Sequence, residues 1–435
     1  MGNIIVKDTK IMERLLQYVW KYRLYSAIDL QTTDGISVTV IDPGIQNTDA
    51  GPDFFNAKIQ LFGRLWAGNI EIHRKASDWK NHHHDQDPAY DSVILHVVEE
   101  ADSVAYRTTG EIIPQAVMQI PEVIKSNMDW LLSRETSLPC AERMHEVEPL
   151  HISAWMNALL TERLERKVDD IFTLLEQHKD DWNEVFYIIL TRNFGFGNNS
   201  DAFEWLAKSL PFQTIRKQRC NSLQIEALLF GQAGLLTGTL DDPYYRLLQQ
   251  EYQFLQKKYK LKQVDYGTIK QLRMRPINFP HLRLAQLAAV WTHNDTLFSR
   301  ILEDNQLETL KECFDVSLSE FWDTHYHFRF SSPIKKKTIG INATHIILIN
   351  TVVPILFAYG KKKQKPDYCA QALYMLENIP REHNSLIISF INAGIAVKNA
   401  ADTQALIQLR REYCEKKKCL YCRIGFCLIK PTKRC

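Results

Sequence analysis

Residues 53–73 read DFFNAKIQLFGRLWAGNIEIH. Polar and apolar side chains alternate on both sides of Gly63-Arg64, the two-residue period of strands with one covered face. The pair itself suits a tight Gly-X turn, so the stretch reads as a hairpin with strands at 53–62 and 65–73. Working outward, ISVTVI at 36–41 is a β-branched strand. Residues 9–25 place Ile11, Leu15, Leu16, Val19 and Trp20 along one side of an amphipathic helix. Downstream, SVILHVV at 92–98 is a nearly continuous apolar run, as expected of a strand covered on both faces, with strand character continuing through 104–120. The polar stretch 74–91 is too long for a tight turn and long enough for a short helix. The order helix, three strands, helical crossover, buried strand predicts an α/β domain over residues 1–125.

From Pro121 the apolar period becomes helical almost throughout, with prolines at 276, 280, 333, 354, 366 and 380 breaking the later segments. The expectation is a mixed α+β chain: the N-terminal α/β domain, a large α-helical region over 126–400 forming one domain or two, and a basic cysteine-rich tail at 401–435. A composition of 45% hydrophobic and 24% charged residues excludes a disordered or low-complexity chain. Lys and Arg total 53 against 51 acids, so affinity for nucleic acid must rest on local clusters and not on bulk charge. The 23-residue uncharged stretch from Thr338 to Gly360 contains Asn342, His345, Asn350 and Pro354, and reads as buried helix broken at the proline, with no membrane span expected. The N-terminus lacks the pattern of a signal peptide, and nine cysteines, five of them in the last 22 residues, suit a reducing compartment. The expected location is cytoplasmic.

The chemistry concentrates in the same stretch. Asp53 heads one strand and Glu71-x-His73 lies on the next, with Glu71 and His73 on one face. Two carboxylates so placed can hold Mg²⁺ or Mn²⁺ against a phosphate, while a nearby cation meets the developing charge. The pattern resembles the PD-(D/E)XK nuclease superfamily, whose core runs helix, three strands, helix, strand, with the Asp at the head of the second strand and (D/E)-X-K on the third. The resemblance implies a restriction-endonuclease-like core. His73 stands where that motif has lysine, and Lys58 on the partner strand is the candidate replacement. With Gly63-Arg64 as the turn, Phe62 pairs with Leu65 and Lys58 faces Asn69. The same register sets Asp53 opposite Arg74 on the wrong face, so it reaches Glu71 only through a bulge or a strand start that frees its side chain.

His73, His82, His83, His84 and His96 place five of the 14 histidines within 24 residues, among Asp78, Asp85 and Asp87. Imidazoles with carboxylates suit Mn²⁺, Fe²⁺ or Zn²⁺ better than Mg²⁺, and His82-x-His84-x2-Asp87 has the makings of a two-His-one-carboxylate site. His96, inside the apolar run, reads as a core residue. At the far end, Cys414, Cys419, Cys422 and Cys427 put four thiols in 14 residues, enough for one Zn²⁺ or an iron–sulfur cluster. A branch of the nuclease superfamily closes its C-terminus with such a cluster bound by one remote cysteine, and that resemblance implies Cys140 for the remote part. Residues 410–435 carry nine Lys/Arg against two Glu, and lysine runs at 335–337 and 361–365 add two further candidate phosphate-facing patches. Arg273, Arg275 and Arg283 read as an exposed basic cluster at the entry to a helix.

Nearly the whole chain resembles a bacterial family catalogued only as a domain of unknown function. The residues that carry the likeness include NTDAGPDFFNAKI, GNIEIHRKASDW, HHHDQDPAYDSVILHVV, RPINFPHLRLAQLA, INTVVPILFAYG and YCEKKKCLYC. That resemblance implies membership and no activity. The functional expectation is a metal-dependent phosphodiesterase acting on DNA or RNA, with Asp53, Glu71 and Asp87 toward the metal, Lys58 or His73 serving water or charge, and His82 or His84 orienting the phosphate. The alternatives are a binding module for nucleic acid or protein with a degenerate core, and a transition-metal enzyme using the histidines and Asp87 without Asp53.

Overall fold

The computed structural model describes residues 9–26, 30–47, 49–134, 136–262, 269–270, 274–294, 296–304 and 306–430. The chain is mixed α+β, with 56% helix and a curled mixed sheet. It divides into two compact units: residues 1–159 with 383–396 and 405–435, and residues 160–382 with 397–404. The first boundary therefore falls well beyond residue 125, and the tail belongs with the sheet. The physical reason is packing: helix Glu122–Ser133 contacts the C-terminal helix Arg423–Ile429, where Asn127 Nδ2 donates to the Ile429 carbonyl at 3.3 Å.

In the first unit, helix α1 (Thr9–Lys21) precedes strands β1 (Gln31–Thr32), β2 (Thr39–Asp42), β3 (Ile45–Gln46), β4 (Phe54–Leu61) and β5 (Arg64–Lys75). A crossover with the short helix α2 (Asp78–Asn81) and a 3-10 turn at Pro88–Tyr90 then leads to β6 (Val93–Glu100) and β7 (Gln115–Val117). The sheet order is β1-β7-β6-β5-β4-β2, with β3 also on β4. β5 pairs antiparallel with β4 and parallel with β6, so β5 is central and covered. Met12, Leu15, Leu16, Val19 and Trp20 of α1 are buried, and the helix packs on β5.

Two details of the hairpin set the site. The turn is Phe62-Gly63, one residue earlier than Gly63-Arg64: both have positive φ (53° and 69°), the backbone of a type I′ turn, and Leu61 pairs with Arg64. Asn56, at φ 57°, forms a bulge between Phe54 and Ala57, after which Phe54 pairs with Ile70. Asn is among the few side chains that accept this conformation at small cost. The bulge resets the register and carries Asp53 from the wrong face to the side of Glu71.

The second unit is helical among its described residues apart from the short hairpin His325–His327/Phe330–Ser331. Helix Pro280–His293 is buried on nearly all sides, as a central helix must be. Arg283 is correspondingly buried and not exposed: its guanidinium lies 3.9 Å from the Phe196 ring centroid and donates to Asn278 Oδ1 at 2.7 Å. Arg275 is exposed, and Arg273 lies outside the described residues. Residues 341–363 form a helix in which a π-helical turn, Leu348–Val352, precedes Pro354, the turn absorbing the missing N–H. This helix is long and apolar enough to cross a membrane by length and composition, and 67% of its most apolar window is buried within the protein.

Candidate metal centre

β5 supplies Glu71 and His73, two residues apart on one face, both buried. α2 and the turn after it supply His82 and His84. His83 between them takes φ 61°, a left-handed residue after which His84 turns inward and is buried, while His82 and His83 stay exposed. The donor atoms of His73, His82 and His84 all lie within 4.8 Å of one another. His73 Nε2 is 3.2 Å from His82 Nδ1 and 3.4 Å from Glu71 Oε1, and His84 Nε2 is also 3.4 Å from Glu71 Oε1. Metal–ligand bonds of 2.0–2.1 Å in a tetrahedral site imply ligand–ligand edges of about 3.3–3.4 Å. The two edges to Glu71 Oε1 have that length, and the His73–His82 edge is 3.2 Å.

The other carboxylates close around the group. Asp53 N–H donates to Glu71 Oε2 at 3.0 Å, and Asp53 Oδ2 accepts from the Ile72 N–H at 3.0 Å. Gln17 Nε2, on α1, donates to Asp53 Oδ1 at 2.7 Å. Glu13, one turn earlier on the same helix face, has a buried Oε1 with no hydrogen-bond partner. Burial pushes the Asp53 carboxyl up to about 8, with the Glu71 charge adding to the rise. Burial also lifts Glu71 to about 8 against the Asp53 N–H, and raises Glu13. The imidazoles move the opposite way. Burial holds His73 well below its usual value, with His96, His84 and His82 adding to the fall; His84 is lowered and His96 falls to about 3. Crowded carboxylates that resist ionising, facing imidazoles that stay neutral with lone pairs free, form an environment a bound cation relieves.

An outer layer fixes the rings. His73 Nδ1 is 2.9 Å from His96 Nε2, and His96 Nδ1 is 3.2 Å from the Gln115 amide. For His73 to offer a lone pair at Nε2, its proton must sit on Nδ1 and be given to His96; His96 then donates from Nδ1 to the Gln115 carbonyl oxygen, which a half-turn of that amide provides. Trp79 of α2 is buried against Val93, Ala105 and Ile113 and presents its ring edgewise to His84, and Tyr90 stacks on His84 at 3.7 Å. Two expected members stand elsewhere. Asp87 is exposed and caps the 3-10 turn, accepting from the Ala89 N–H at 2.9 Å, because the turn at Pro88 needs a cap there. Lys58 is exposed and pairs with Ala67, not Asn69, following the shifted turn. It lies four residues, about 13 Å, down the strand from Glu71.

Residues 13–385 match the family described as "Protein of unknown function (DUF2851)". The chain belongs to this family. No curated protein and no solved structure matches it.

Elsewhere in this DUF2851 chain, Cys140, Cys414, Cys419 and Cys422 line one small pocket. Cys427 does not line it, and Cys435 lies outside the described residues. Of the lysine runs, Lys337 is buried, its Nζ donating to the Trp322 and Asp323 carbonyls at 2.7 Å each, while Lys361 and Lys362 pair with Glu165 and Asp180. In the run at 416–418, Lys416 pairs with Glu412. With Lys10 and Arg14 of α1 and Tyr421 the run lines a cleft of about 510 Å³. Glu13, Gln17 and Gln115 were not singled out by the sequence reading. The one signal for the first two is a pair of polar residues four apart amid the buried positions of α1.

Proposed function

We propose that this protein is a metal-dependent phosphodiesterase acting on DNA or RNA, with its metal held by Glu71, His73, His82 and His84. The single observation that carries the reading is Glu71: one oxygen faces the histidine nitrogens at 3.4 Å while the other is fixed by the Asp53 N–H. The donor set of three imidazoles and one carboxylate favours Mn²⁺, Fe²⁺ or Zn²⁺ over the Mg²⁺ that two carboxylates alone would suggest. When bound, such an ion polarises a phosphoryl oxygen and acidifies a water. Asp53 and Glu13 are the other carboxylates beside it, lying near the charges of His84 and His82, and they orient that water or take its proton. His82, the exposed member, marks the side open to substrate.

Two further features support a nucleic-acid substrate. With the two-residue strands β1 and β3 set aside, the order α1, β2, β4, β5, α2, β6, with Asp53 before β4 and Glu71-x-His73 on β5, resembles the nuclease pattern, and that likeness supports the reading. The cleft on α1 gathers Lys10, Arg14 and Lys416–Lys418 beside Tyr421, the mixture of cations and an aromatic face that tracks a phosphate backbone with stacked bases. The test is an assay of single- and double-stranded DNA and RNA with Mg²⁺, Mn²⁺ and Zn²⁺ in turn. Cleavage with Mn²⁺ or Zn²⁺ that is lost in Glu71→Gln is expected; no cleavage of any substrate with any of these metals overturns the enzymatic reading.

A further inference from the structure

Helix α1 presents two chemically different faces. Gln17 donates to Asp53, and Glu13 stands near the charges of His82 and Asp53, so these two residues belong to the histidine centre. Lys10, Arg14 and Lys21 recur at intervals of four and seven residues, which sets them within about 40° of one another around the helix and over about 16 Å of its length. Lys10 and Arg14 border the cleft that also takes Lys416–Lys418 and Tyr421. A smaller recess bordered by Tyr18, Lys21 and Tyr22 shares Arg14, Leu420 and Tyr421 with that cleft, so the two make one groove along α1.

The groove is cationic, with buried apolar side chains and exposed aromatic rings in its lining. Among the described residues no carboxylate lines it. Lys416 pairs with Glu412, which lies outside the lining, and Lys21 Nζ donates to the neutral Gln46 amide oxygen at 3.1 Å. Met128, Leu132 and Leu420 supply the buried apolar part. Tyr421 and Tyr22 keep 45% and 41% of their surface exposed, and the Tyr22 ring is braced by Phe426, with centroids 4.7 Å apart. The lysine loop is fixed by its own backbone: the Lys417 N–H donates to the Cys414 carbonyl at 3.1 Å, and the Lys418 N–H donates to the Tyr413 carbonyl at 2.8 Å.

These features select a ligand class. A row of cations with no acid among them suits a repeating anion, and the length of α1 between Lys10 and Lys21 matches about five stacked nucleotides at roughly 3.4 Å each. Exposed rings beside the cations offer a stacking surface for bases. A duplex keeps its base faces covered and gives the tyrosines nothing to stack on. An acidic peptide supplies charge but no regular succession of flat faces. Single-stranded nucleic acid uses both the cations and the rings.

We propose that this groove binds single-stranded DNA or RNA, its backbone held by Arg14, Lys417 and Lys418 and its bases stacked on Tyr421 and Tyr22. The binding needs no metal; that the bound strand is the substrate of the histidine centre rests on the phosphodiesterase reading above. The test is fluorescence anisotropy with the full-length protein in EDTA, using labelled oligo(dT), oligo(U) and a duplex, each of about 12 nucleotides in length. At least one single strand should bind more tightly than the duplex. Its affinity should fall with salt, and Lys417→Gln and Lys418→Gln should each reduce the slope of log affinity against log salt by about 0.7. Tyr421→Ala should weaken binding by about 5–150-fold, while Tyr421→Phe stays close to wild type. No single-strand binding, a duplex bound as tightly as both single strands, or unchanged affinity in Tyr421→Ala overturns the proposal. Polyglutamate that competes as well as unlabelled oligonucleotide of equal charge also overturns it, assigning the groove to an acidic peptide. Single-strand binding by a protein that cleaves nothing with any metal leaves the groove and removes the phosphodiesterase; cleavage by a protein that binds no single strand in EDTA does the reverse.

Discussion

The Asp53 backbone N–H donates to Glu71 Oε2, and the N–H of Ile72, next to Glu71, donates back to Asp53 Oδ2, both at 3.0 Å. Each carboxylate is thus held by the strand that carries the other. The reciprocal clasp orients Glu71 Oε1 toward His73 and His84 with no cationic side chain needed, and it forms only because the bulge at Asn56 has shifted the register.

The clasp makes the two acids unequal. Glu71→Gln should remove the carboxylate oxygen that lies 3.4 Å from His73 and His84 and abolish both high-affinity metal binding and cleavage. Asp53→Asn keeps an oxygen for the Ile72 N–H, so it should retain the metal while losing activity. Titration of metal binding alongside the assay distinguishes the two. Equal loss of metal in both variants would contradict the assignment.

The His96–Gln115 relay predicts a remote effect. His96→Leu fills the same buried space but leaves His73 Nδ1 without its partner at 2.9 Å. Metal affinity should fall by about 10–100-fold with the fold intact, as for other partners of ligand histidines. Competition with a chromophoric chelator measures it.

Asn56 tests the bulge. Asn56→Gly should be tolerated at φ 57°, whereas Asn56→Val should cost about 1–2 kcal/mol and displace Asp53. The expected signature in urea unfolding and metal titration is a less stable Val variant with weakened metal binding and a Gly variant close to wild type.

In the helical unit, burial pushes the Glu226 carboxyl up, against hydrogen bonds from Trp322, Tyr244 and Ser319. A raised folded value means the folded chain keeps a proton that the unfolded chain releases, so stability falls as pH rises from the ordinary 4.5 through the folded value. Glu226→Gln keeps an acceptor for Trp322 and Tyr244 and removes the penalty. Its melting temperature should exceed that of wild type at neutral pH, with the gap closing below the ordinary carboxylate value.

The sequence made the element order legible because alternation and helical period survive in β4, β5, β6 and α1. It also exposed the need for a bulge or a freed strand start at Asp53, since the simple register failed there. It could not place the turn to the residue: Phe62 carries no turn signal, and only the paired positive φ of Phe62-Gly63 reveals it. Asp87 looked like a ligand because spacing cannot tell a metal carboxylate from a cap before Pro88. Glu13, Gln17 and Gln115 join the site through tertiary packing, which no local pattern records. The lysine runs looked alike in sequence, yet burial turned Lys337 into a structural donor while leaving Lys416–Lys418 in the cleft.

The most direct test of the central claim is anomalous diffraction from crystals loaded with Mn²⁺. The account predicts a peak within bonding distance of Glu71 Oε1, His73 Nε2, His82 Nδ1 and His84 Nε2. Loaded crystals with no peak among these four residues would contradict it.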